Sequence, residues 1–240
     1  MLYRLLTILL APLIMVQAYY VKRTTLRLPE PKGLRNGVSG SGSKTSILIV
    51  GDSAAAGVGV ETQDQALSGS LVTALSGTHE ISWQMIAKTG DTSKKLYTRL
   101  EKTPKAPVEY ALISIGVNDV TSLIKSEEFV SNLTKIIELL KKEYHARRIL
   151  ITKIPPMHLF PALPQPLRWW LGVKANNLND VLKSLSLSDE HCEFIDLALP
   201  FDKGYMAKDG FHPGAAAYEL WGQHVAKFIQ AELAENRPEI

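Results

Sequence analysis

The sequence predicts a doubly wound α/β fold: a three-layer α/β/α sandwich with helices on both faces of a parallel sheet. Three observations predict it. Short apolar runs at residues 47–50, 81–87, 110–115, 148–154 and 194–197 are hydrophobic almost without a break, as strands buried on both faces must be. Amphipathic stretches alternate with them, and strand alternating with helix places parallel strands beneath crossover helices of one hand. The length of 240 residues, with 45% hydrophobic and 21% charged residues, suits one ordinary domain with a short appendage. Such a domain buries a full core without disulfides or metal.

The appendage comes first. Residues 5–21 are almost uninterruptedly apolar, at the lower edge of a membrane-spanning helix and the upper edge of a signal-peptide core. Val16-Gln17-Ala18 offers tolerable residues to a signal peptidase, whereas Pro12 interrupts the run and Lys22, Arg23 and Arg27 follow it. Residues 1–22 therefore read as an export signal or a membrane anchor, with the rest of the chain periplasmic or held at the membrane; a buried helix of the globular domain is the alternative. The trailing cations run against that orientation. Residues 23–45 hold Leu28-Pro29-Glu30-Pro31-Lys32-Gly33 and Ser39-Gly40-Ser41-Gly42-Ser43, the chemistry of an extended and then flexible linker. The domain proper spans 46–236. Its clearest helices cover 127–144, where Phe129, Leu133, Ile136, Ile137 and Leu140 recur at helical spacing, and 215–233.

The net charge of +3 is mild and forms no basic face, so no nucleic-acid partner is expected. Cys192 is the single cysteine, which excludes an internal disulfide and a cysteine-based metal cluster. The chain is expected to act as a monomer.

In open parallel sheets ligands bind beyond the C-terminal strand ends, so the residues there matter most. The first strand leads into Gly51-Asp52-Ser53-Ala54-Ala55-Ala56-Gly57. A serine entering a helix through small residues exposes its hydroxyl beside free backbone N–H groups; a helix cap explains it equally well. The block lacks a phosphate loop's Gly-Lys-Ser/Thr ending and the Gly-x-Ser-x-Gly elbow. The second strand is followed by Gly90, where backbone can approach a ligand, and the third by Gly116-Val117-Asn118-Asp119. Asn118 can donate a hydrogen bond to a developing oxyanion, and Asp119 can pin neighbouring loops; equally, both can cap the next helix. Near the C-terminus, Asp209 precedes His212 by three residues, close enough for the carboxylate to hold the histidine tautomer that leaves the other nitrogen free as a base. The two have no third ligand clustered with them, so no metal is expected.

These ordered blocks resemble the SGNH hydrolases, the GDSL-type lipases and esterases: Gly51-Asp52-Ser53, Gly90, Gly116-Val117-Asn118-Asp119 and Asp209-Gly210-Phe211-His212-Pro213. Ala54 stands where the family usually has leucine. The resemblance implies a flavodoxin-like fold with a five-stranded parallel sheet and a small-molecule ester as substrate, with no cofactor. It implies Ser53 as nucleophile, His212 as general base and Asp209 as its orienting acid. The oxyanion hole it implies comprises the Ser53 and Gly90 backbone N–H groups and the Asn118 side chain.

Residues 154–172 carry five prolines among apolar side chains, which excludes a regular helix or central strand there. This stretch is expected either to wall the acyl site or form a membrane-facing lip, or to fold onto the domain as extra core with Trp169-Trp170 opening the next helix. Asp52, Phe160 and Trp169 are the candidate substrate contacts.

Overall fold

The computed structural model describes residues 2–122 and 124–235. Six strands form one sheet: β1 (Asn36–Ser39), β2 (Ser43–Gly51), β3 (His79–Ala87), β4 (Tyr110–Ser114), β5 (Arg148–Thr152) and β6 (Cys192–Ile195), in the order β1-β3-β2-β4-β5-β6. Five of them pair in parallel, in the flavodoxin-like order.

The expected count of five is corrected by β1, which pairs antiparallel with β3 through Asn36↔Gln84 to Ser39↔Ile81. This strand lies within the stretch read as flexible linker. It is only four residues long and edge-placed, with an exposed and half-exposed alternation, so no apolar run marks it. The preceding residues are also tied to the domain. Glu30 accepts hydrogen bonds from the Thr89 N–H and hydroxyl, both at 2.8 Å, and pairs with Arg35 at 2.9 Å.

Strand alternation divides the interior into two cores. On β2, Leu48 and Val50 face one core with Leu96, Phe129, Ile136 and Leu182, whereas Ile47 and Ile49 face the other with Leu71, Tyr218 and Val225. The first lies under α3 (Ser93–Lys102), α5 (Ser126–Lys142) and α6 (Leu167–Leu187); the second lies under α2 (Leu67–Ser76) and α7 (Ala215–Glu235). Helix α5 buries Phe129, Leu133, Ile136, Ile137 and Leu140, the stripe its periodicity predicts. The short α4 (Val117–Thr121) follows β4 directly.

The N-terminal helix α1 (Leu2–Thr24) runs through Pro12. It lies against the first core through Ile14, 5% exposed, with half-buried Leu10 and Val21 beside it.

Candidate active site

The chain turns at the C-terminal end of β2, where β3 lies on one side and β4 on the other, and this switch point opens a crevice. Gly51 is required there by close approach: a Cβ on it would lie 2.0 Å from the Ser114 carbonyl oxygen. The Asp52 N–H donates to that same carbonyl at 3.1 Å. Ser53 follows, half-buried at the crevice floor.

His212 reaches Ser53 from a loop 159 residues away. Its Nε2 stands 2.9 Å from Ser53 Oγ, and its Nδ1 stands 2.5 Å from Asp209 Oδ2. Asp209 Oδ1 accepts the N–H groups of Phe211 and His212 at 3.0 and 3.1 Å, so both carboxylate oxygens are engaged by one tight loop. Burial pushes the Asp209 carboxyl upward in pKa, but the hydrogen bonds from His212 and the two N–H groups outweigh it. The net effect holds Asp209 below the ordinary carboxylate range.

Gly90 sits at the crevice rim with φ +81°, a backbone region that favours glycine. Asn118, in the first turn of α4, donates from Nδ2 to the Asp91 carbonyl at 2.9 Å and lies 3.4 Å from Asp52 Oδ2. Asp91 is a site residue beyond those picked out from sequence. It stands in the same post-strand block as Gly90, so the strand-end rule could have found it. Asp119 binds the first residue of α3, Ser93, across the strand ends. Fully buried, it accepts from the Ser93 N–H at 3.0 and 3.2 Å and from the Ser93 hydroxyl at 2.6 Å.

Asp52 is 2% exposed. Burial raises its carboxyl to about 7, although the Ala54 N–H and the charge of His212 pull it down. It lies beneath Asn118 and Ser53 and lines the same cavity.

That cavity has a volume of about 930 Å³ and runs from Ser53, Gly90, Asn118 and His212 along an apolar wall. Met157, Phe160, Leu163 and Leu167 of the proline-rich stretch line it and are also buried in the first core, so the stretch is wall and core together. Phe160 packs on Phe201 and Phe211, with ring centroids 5.6 and 6.0 Å apart. Trp169 is a correction: it does not line the cavity, and Trp170 does. Successive helix positions turn by about 100°, and α6 begins at Leu167, so the two indoles point in different directions. The C-terminal part of α1 also contributes lining residues, among them Ala18 and Val21. Among the described residues no cluster of three His, Cys, Asp or Glu side chains could hold a metal ion.

A serine hydroxyl, an imidazole and a carboxylate in one hydrogen-bonded line, at the switch point of a doubly wound sheet, are the arrangement of a serine hydrolase. The chain belongs to the GDSL-like lipase/acylhydrolase family, whose model matches residues 49–220. Solved structures with the same fold include the psychrotrophic esterase EstA of a Pseudoalteromonas species, described as inhibited by monoethylphosphonate (20% identity, TM-score 0.61, covering 79% of this chain and 99% of that one). TesA is similar at 22% identity and TM-score 0.61, over 78% of this chain and 98% of its own. Est24, a carbohydrate acetylesterase of Sinorhizobium meliloti, is similar at 18% identity and TM-score 0.58, over 78% and 99%. No curated protein matches the chain significantly by sequence.

Proposed function

We propose that the protein hydrolyses carboxylic esters of small to medium, lipid-like or cell-envelope acyl groups through an acyl-serine intermediate on Ser53. The observation that carries this reading is the line from Ser53 Oγ through His212 to Asp209, with steps of 2.9 and 2.5 Å.

As Ser53 Oγ bonds to the ester carbonyl carbon, its proton passes to His212 Nε2. Asp209 holds the imidazole in the needed tautomer and balances the charge that forms on it. The carbonyl oxygen becomes an oxyanion, for which the Ser53 and Gly90 backbone N–H groups and the Asn118 amide are the proposed donors. The Asp91 carbonyl orients that amide in advance. When the tetrahedral intermediate collapses, the bond to the alkoxy oxygen breaks and His212 returns the proton to the departing alcohol. Water, activated by His212, then cleaves the acyl-serine by the reverse steps and releases the acid.

A nitrophenyl ester series from acetate to palmitate tests the reading. Ser53→Ala should abolish hydrolysis at every chain length, and unchanged activity in that variant would sink the mechanism. Asn118→Ala should lower kcat by about 10²–10³ while leaving KM nearly constant, as removal of one oxyanion donor does elsewhere.

A further inference from the structure

The N-terminal helix is built into the cavity that Ser53 opens onto. Ala18, Val21, Lys22, Thr25 and Leu26 all line it. The docking is specific: Gln17 Nε2 donates to the Gln165 carbonyl at 2.7 Å, and Gln17 Oε1 accepts the Leu167 N–H at 3.0 Å. Ile14 is buried beneath. A cut after Ala18 would remove both Gln17 bonds and the Ile14 contact, and would open the cavity along one side.

The rest of the helix faces outward and is apolar. Ile8, Leu9, Met15 and Val16 are 65–74% exposed. From Leu5 to Thr24 the mean hydropathy is 1.6 over a length able to cross a membrane. Tyr19 and Tyr20 close this apolar stretch, with the Arg23 guanidinium 5.2 Å from the Tyr19 ring centroid and Lys22 and Arg27 nearby in sequence. Aromatic rings followed by cations are the side chains that settle at the level of lipid headgroups. Of these residues, Tyr19, Lys22 and Arg27 also line the cavity.

We infer that α1 is retained in the working enzyme and forms one wall of its acyl-binding cavity, so that the substrate is an amphiphilic ester drawn from the membrane surface. This rests on the ester-hydrolase reading of Ser53. A volume of about 930 Å³ lies near the top of the roughly 300–1,000 Å³ range of small-molecule sites, far more than an acetyl group fills. A bilayer acyl chain entering beside Val21 passes from one apolar medium to another and avoids the cost of crossing water.

The full chain in lipid nanodiscs tests this, with hydrolysis read as the kcat/KM ratio of nitrophenyl dodecanoate to nitrophenyl butyrate. Val21→Trp should lower the ratio roughly tenfold, the effect of displacing one or two methylenes from an apolar site. Val16→Trp, on the outward face, should leave the ratio at the wild-type value. An unchanged ratio in Val21→Trp, with activity still dependent on Ser53, overturns the wall and leaves the hydrolase reading standing. Activity that survives Ser53→Ala overturns that reading instead.

A labelling measurement covers the case in which the Trp variant misfolds. In Val21→Cys, a dodecyl phosphonate on Ser53 should slow maleimide labelling at least fivefold, and an ethyl phosphonate should not. Cys192 does not compete, being buried with its thiol pushed up to about 12. Equal labelling under both phosphonates overturns the inference, as does an intact mass of membrane-extracted enzyme that lacks residues 1–18.

Discussion

At the scale of single residues, the buried carboxyl of Asp52 has the largest consequence outside the Ser53–His212–Asp209 line. With its pKa raised by burial to about 7, the folded protein holds this proton more tightly than the unfolded chain does. The stabilisation is complete below the unfolded value of 3.8, declines as pH rises, and is gone above about 7. Urea unfolding of wild type should therefore show stability falling by up to ~4 kcal/mol across that interval from this group. Asp52→Asn should remove the decline, and parallel pH profiles for the two proteins would refute the assignment. The candidate site residues were legible in sequence to different depths. Gly51, Asp52, Ser53, Gly90 and Asn118 each follow an apolar run, so strand-end chemistry picked them out. Asp209 and His212 pair within one loop, which spacing alone suggests. The choice between Trp169 and Trp170 was not legible, because both are apolar and adjacent and only the rotation of α6 separates them.

At the scale of elements, the site depends on α3 and α4 being locked together at the strand ends. Asp119 does this from α4 by accepting the Ser93 N–H and hydroxyl at the start of α3, where Asn132 of α5 adds a donor to Ser93 Oγ at 3.2 Å. The contact sits one residue from Asn118, so its geometry is passed to the proposed oxyanion donor. Asp119→Ala leaves those buried donors without an acceptor and should cost ~3 kcal/mol of stability, read by urea unfolding. A loss below ~1 kcal/mol would show that water or a neighbouring side chain replaces the carboxylate. Helices α5 and α7 announced themselves through their periodicity, α5 most clearly. Strand β1 did not, since an edge strand with solvent on one side needs no apolar run.

At the scale of the whole molecule, α1 joins the domain along its C-terminal half and leaves an apolar face uncovered. Its docked face and outward face carry similar residues, so the apolar run at 5–21 revealed a membrane-compatible helix but not where it packs. Full-length protein should float with lipid vesicles, and carbonate washing should leave it bound, because the exposed face of α1 is apolar rather than ionic. Release by high salt alone would show that Lys22, Arg23 and Arg27 carry the binding instead.

Residue order along the chain was enough to specify the five parallel strands, the alternation of strand and helix, and the candidate site residues, because burial on two faces and helical spacing are local properties written into short segments. Tertiary structure alone decided the rest. It brought Ser53 to 2.9 Å from His212 across 159 residues, added β1 to the sheet edge, turned Trp170 inward, and set α1 along the cavity that Ser53 opens onto. Each of these depends on contacts between segments distant in sequence, and no local pattern of apolar and polar residues specifies which distant surfaces will meet.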